Sequence, residues 1–147
     1  MPSTTAETKL ELAELVTAFA NLADEDRIHD QMSLFTADAS VQIWIGEHLL
    51  FDVRGTETIE KTFSEGTAAV KRSFHMLGQQ AFEVDGDTAA GVVYCQVKLV
   101  SDDDDGREVV ADSSIRYSDT YARVDGRWVI SSRISRFTIV DRRVLQG

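Results

Sequence analysis

The sequence predicts an α+β fold, with helices first and a mostly antiparallel sheet after them. Three observations predict it. Apolar residues recur at helical spacing as far as Phe35, long alternating runs begin at Arg72, and Asp85-Gly86 and Asp125-Gly126 punctuate those runs. Asp-Gly is a strong hairpin signal, because its second residue tolerates the positive φ of a tight turn. At 147 residues the chain reads as a single domain over 1–147, large enough for a core and a pocket.

The first helix opens at Thr4 or Thr5 as N-cap, with Glu7 in its first turn. Leu12, Leu15, Val16, Phe19 and Leu22 form its apolar stripe, read as core. Asp24-Glu25-Asp26 follows directly. A second, shorter helix then carries Ile28, Met32 and Phe35 and ends near Thr36–Ala39. Asp24 thus falls at the junction of two helices, where an N-cap for the second is its simplest role. Glu25, Asp26 and His29 read as solvated.

Ser40–Gly46 alternates Val41, Ile43 and Ile45 against Gln42 and Trp44, the pattern of a strand. Gly46-Glu47-His48 reads as a turn and Leu49–Val53 as the returning strand. Gly55 stops it, Thr56 caps a third helix that buries Ile59 and Phe63, and Gly66 weakens or ends that helix. Phe74–Val84, Thr88–Val100, Glu108–Val124 and Trp128–Val140 are the four long strands. On the first, Phe74, Met76, Phe82 and Val84 share one parity, so His75 is expected to point away from the most apolar row. Asp102–Asp105 is a run of four acids, read as a solvated loop tip.

The net charge of −10 disfavours nucleic acid and anionic membranes as partners. The single cysteine, Cys95, excludes an intramolecular disulfide and a Cys-rich metal site. The first residues are polar, and no apolar run approaches a membrane span, so a cytoplasmic location is expected. No phosphate-binding loop or nucleophile elbow is present, and no cofactor or metal is expected.

The order of these elements resembles the nuclear-transport-factor-2-like superfamily, and within it the SnoaL-like group that includes scytalone dehydratase. The likeness is carried by Asp24 after the first helix, Leu34–Ala39, Gly55–Ile59, Phe74-His75-Met76-Leu77-Gly78, Val84–Ala89 and Tyr117–Trp128. It implies a cone-shaped α+β barrel, with the N-terminal helices packed in a curved sheet around an apolar pocket. It also implies that an aspartate after the first helix pairs with a histidine on the first long strand, and Asp24 and His75 stand at those positions. The chain departs from scytalone dehydratase at Ala23, where that enzyme has tyrosine, and has no histidine after His75.

The reaction class expected from such a pair is that of a cofactor-independent lyase or isomerase, dehydratase-like, acting on a small, largely apolar carbonyl or hydroxylated ring compound. His75 would be the base and Asp24 its orienter. Tyr94, Tyr117, Asp119 and Trp44 are candidates for substrate binding. Plain alternatives remain open: sheet packing for the tyrosines, an Asp119–Arg123 pairing, and a core position for Trp44. The alternative function is a non-catalytic module of the same fold that binds a small ligand or serves assembly. A homo-oligomer, dimer or trimer, is expected from the exposed outer face of a curved sheet.

Overall fold

The structure, a computed structural model, describes residues 3–146. Helix α1 spans Thr5–Asp24. Thr4 is its N-cap: the hydroxyl accepts from the Glu7 N–H at 3.1 Å, and the Glu7 carboxylate accepts from the Thr4 N–H at 3.0 Å. This reciprocal capping box satisfies two donors that a helix start leaves bare. The helix ends where Asp26 turns left-handed, at φ 57°, and the Arg27 N–H reaches back to the Leu22 carbonyl.

Helix α2 is only Ile28–Gln31, followed by a single 3-10 turn over Met32–Leu34. Strand β1 then begins at Phe35 and runs to Ile45. The expected second helix through Phe35 is thus too long. The spacing of Ile28, Met32 and Phe35 reported burial correctly for Met32 and Phe35, but the backbone of Phe35 already pairs with Ile130 in the sheet. Nor does Asp24 cap α2, whose N-cap is Arg27 and has no side-chain cap bond.

Strand β2 is His48–Arg54, so His48 opens a strand and is not in the turn. Helix α3 is Thr56–Thr67, and its N-cap is Gly55, at φ 88°, in place of Thr56. Strands β3 (Arg72–Asp85), β4 (Thr88–Asp102), β5 (Glu108–Val124) and β6 (Arg127–Val144) form the meander. The sheet order is β2-β1-β6-β5-β4-β3. Every pairing is antiparallel except β1 with β6. The helices pack in the concave side of this curved, mixed sheet. Leu12, Val16 and Phe19 of α1 meet Val93, Ile115, Tyr121 and Ile130 of the sheet in one core.

Strand β3 corrects the expected face of His75. The β3–β4 register shifts between Leu77 and Gln80, so Gly78-Gln79 forms a bulge and the parity flips there. His75 and Leu77 before the bulge continue inward as Phe82 and Val84 after it. Phe74 and Met76 lie on the outer face, each 58% exposed. The most apolar row in the sequence is therefore two half-rows on opposite faces, and His75 points into the cone. Among the described residues no helix is long and apolar enough to cross a membrane.

Candidate active site

Asp24 is the last residue of α1, at the end where helix carbonyls concentrate negative charge. No basic side chain lies in that last turn. A carboxylate there needs donors from elsewhere, and β3 supplies three. The His75 backbone N–H donates to Asp24 Oδ2 at 2.8 Å, and the Ser73 hydroxyl donates to Oδ1 at 3.0 Å. The His75 ring lies with Nδ1 2.6 Å from Oδ1. β3 is an outer strand of the sheet, so the N–H of its residue 75 is free for a partner other than β4. The end of α1 covers that edge.

A carboxylate only accepts hydrogen bonds, so Nδ1 carries a proton, and in the neutral ring Nε2 keeps its lone pair. Nε2 has no partner among the described residues. The His75 side chain is 13% exposed and that of Asp24 28%. Both line a cavity of about 420 Å³ between the sheet, α1 and α3, within the range of ~300–1,000 Å³ usual for small-molecule sites. Phe19, Ile43, Val97, Leu99, Ile115 and Phe137 make most of its wall apolar. Thr62, Phe63, Gly66 and Thr67 bring α3 along one side.

The other anticipated binding residues separate into two groups. Tyr117 lines the cavity. Burial pushes its phenol above the ordinary range, so the hydroxyl stays protonated. Asp119 does not line the cavity. It is buried behind Arg133, which donates from Nε and Nη2 to its two oxygens at 2.8 Å each. The Tyr121 hydroxyl also donates to Asp119, at 2.7 Å. The anticipated Asp119–Arg123 pairing is thus replaced by Asp119–Arg133. Trp44 and Tyr94 are on the outer face and do not line the cavity. The indole of Trp44 donates to Gln42 at 3.0 Å, and the Tyr94 ring lies under Arg116.

Arg133 is the residue that reading the sequence missed. It is 2% exposed yet lines the cavity, sandwiched between the rings of Tyr117 at 3.9 Å and Phe19 at 4.4 Å. Burial opposes its charge, and the attraction and hydrogen bonds of Asp119 outweigh that, so its pKa is held above the ordinary value. Its Nη1 has no partner among the described residues. Gln31, also buried, donates its amide to the Phe19 carbonyl at 2.9 Å and lines the same cavity. The one signal that could have found Arg133 is the alternation of β6, which places it in one row with Ser135 and Phe137, both of which line the cavity. Among the described residues no group of three or more His, Cys, Asp or Glu side chains is gathered for a metal ion.

Chemically, the arrangement offers one base, fixed in tautomer by a carboxylate, in an apolar chamber that also holds neutral donors. Comparison with known proteins agrees with this architecture. A family model describing a SnoaL-like domain matches residues 4–134. An uncharacterized protein of Mycobacterium tuberculosis is 29% identical over 127 residues, which cover 86% of this chain and 82% of that protein. A solved structure from Novosphingobium aromaticivorans, provisionally described as a scytalone dehydratase, has a TM-score of 0.79 at 15% identity, covering 97% of this chain and 91% of that one. A second from the same organism, provisionally described as an aromatic ring hydroxylase, has a TM-score of 0.83 at 24% identity, covering 96% of each chain. At these identities the two structures speak for the fold.

Proposed function

This chain belongs to the SnoaL-like domain family, and we propose that it is a cofactor-independent lyase or isomerase of the dehydratase type. Its substrate is a small, largely apolar ring compound with a carbonyl and a removable hydroxyl. The observation that carries this reading is the 2.6 Å contact between His75 and Asp24 in the wall of an apolar cavity.

His75 Nε2 takes the proton from the carbon beside the substrate carbonyl. The proton leaves the carbon, its electron pair moves toward the carbonyl, and imidazolium forms. Asp24 stabilises that imidazolium through Nδ1–H and keeps the ring oriented. Charge developing on the substrate oxygen is met by the Tyr117 hydroxyl and the free Nη1 of Arg133, donors fixed before the reaction starts. Collapse of the enolate breaks the bond from the neighbouring carbon to its hydroxyl, the imidazolium gives its proton to that departing oxygen, and water leaves with His75 neutral again. If the hydroxyl is absent, reprotonation at another carbon gives an isomer. A carrier that only stored a ligand would have no use for a carboxylate-bound imidazole, and the formed pair in an open cavity favours the catalytic reading.

The test is a screen of cyclic β-hydroxyketones followed by ultraviolet absorbance of the conjugated enone. Wild-type protein is expected to turn over at least one of them. His75→Ala is expected to lower kcat by about 10²–10⁴-fold, the usual worth of a positioned base, with an unchanged far-ultraviolet dichroism spectrum. Retained turnover in a folded His75→Ala protein would overturn the reading.

A further inference from the structure

The cavity wall holds a polar group that neither the fold nor the proposed reaction uses. Ser135 lies on β6 between Arg133 and Phe137 along the strand, and its cross-strand partners are Tyr117 on β5 and Ile43 on β1. All five residues line the cavity. Ser135 is 6% exposed, and its hydroxyl makes no hydrogen bond among the described residues. The other hydroxyls and the amide in the wall are occupied. Thr62 and Thr67 donate to carbonyls of their own helix, at 2.8 and 2.9 Å. Gln31 donates to the Phe19 carbonyl and Ser73 to Asp24.

A buried hydroxyl without a partner is unfavourable, and β-branched apolar residues suit a half-buried strand better than serine does. Packing and strand preference therefore both favour valine between Ile43 and Tyr117. What serine adds at this position is a hydroxyl aimed into the cavity.

We infer that Ser135 binds a further oxygen on the substrate, one that does not react. This rests on the reading of the cavity as the substrate site, with Tyr117 and Arg133 at the reacting carbonyl. The leaving hydroxyl must meet His75 on β3, and Ser135 is three strands away on β6, so the leaving hydroxyl is not the oxygen Ser135 binds. Across the sheet the order is His75, Tyr117, Ser135. On the ring it becomes leaving hydroxyl, carbonyl, further oxygen, with the further oxygen meta to the carbonyl on its other side. A serine hydroxyl both donates and accepts, so the group it binds is a hydroxyl or a second carbonyl. It is not a carboxylate. Arg133, the cation beside Ser135, is already neutralised by Asp119 through two bonds of 2.8 Å. A carboxylate there would be a buried negative charge without a partner of its own.

The test is a nuclear magnetic resonance titration of the protein with phenol, resorcinol and 3-hydroxybenzoate. None of these rings can be dehydrated. A failure of the lyase reading is therefore seen in its own turnover assay, and a failure of this subsite is seen here. Wild type is expected to bind resorcinol about tenfold more tightly than phenol, the worth of one hydrogen bond in a buried site, and 3-hydroxybenzoate more weakly than resorcinol. Ser135→Ala is expected to abolish the preference for resorcinol and leave the affinity for phenol unchanged. Ser135→Thr, which keeps the hydroxyl, is expected to retain the preference. The thermal midpoint of Ser135→Ala is expected at or above that of wild type, because no hydrogen bond within the protein is lost. Equal affinities for phenol and resorcinol in wild type, a preference that survives Ser135→Ala, or tighter binding of 3-hydroxybenzoate would each overturn the proposal. A lowered midpoint in Ser135→Ala would mark the hydroxyl as structural and overturn it too.

Discussion

At the scale of single residues, the site breaks local rules and repairs them from a distance. A carboxylate at a helix C-terminus costs on the order of 0.3–1 kcal/mol, and Asp24 is held there by three donors from β3. This strain against local preference is the mark of a residue kept for its position. The sequence pointed to Asp24 and His75 only through the likeness of a whole pattern, because 51 residues separate them. Neither flanking stretch contains the contact. For Arg133 the alternation of β6 was the only signal, and it was too weak to use: one arginine in an alternating strand looks like a surface residue until the cone closes around it. Its burial makes a firm prediction. Asp119→Ala leaves an unpaired guanidinium in the core, and chemical denaturation should show a loss of about 3–5 kcal/mol. A loss below about 1 kcal/mol would show that the Arg133 charge is not buried as described.

At the scale of elements, the strands were read closely and the junctions were not. The four long strands were legible from alternation and Asp-Gly turns, and their observed ends lie within a few residues of the expected ones. The bulge at Gly78-Gln79 was not read, although a glycine inside a strand is a mark of one, because the same residue also serves where another backbone approaches closely. That single extra residue decides which half of the apolar row packs on the core. The second helix failed for the opposite reason: spacing reported burial, while β-pairing set the backbone of Phe35. Gly91 is a further element-scale feature. A Cβ there would lie 2.7 Å from the Phe82 ring and 3.0 Å from the Tyr121 ring. Gly91→Ala should therefore destabilise the β3–β4–β5 packing by about 1–3 kcal/mol, read as a lower midpoint of thermal unfolding. An unchanged midpoint would mean that both rings move aside freely. At the start of α1, Thr4→Ala removes the capping box, and a loss of about 1 kcal/mol is expected by denaturant titration. No measurable loss would mean that the cap is replaced by solvent.

At the scale of the whole molecule, the open end of the cone is held by charge. Lys71 and Arg72, which line the cavity, are both tied to Glu108 across the sheet, and Lys71 also to Asp102. The hydrogen bonds from Arg72 and Lys71 hold the Glu108 carboxyl down at about 2. A depressed carboxyl contributes stability that is present above its unfolded value, near ~4.5, and is lost as the pH falls toward about 2. Stability of the wild type should therefore fall across that window, and Glu108→Gln should flatten the fall. Equal acid slopes in the two proteins would show that this cluster does not hold the end of the sheet. The overall order of elements, and with it the cone, was legible because each hairpin is local. The apolar pocket was anticipated only through the family likeness and the charge network not at all, because both depend on how far the sheet curls.

The proposed chemistry rests on Asp24 fixing the His75 ring so that Nε2 is a free base facing the cavity. Nitrogen-15 correlation spectroscopy of the histidine side chains, at a pH where the ring is neutral, reads this directly. His75 is expected to carry its proton on Nδ1, with Nε2 showing the shift of an unprotonated nitrogen, and Asp24→Asn is expected to redistribute the proton between the two. A His75 ring protonated on Nε2 in the wild type, or a spectrum unchanged by Asp24→Asn, would contradict it.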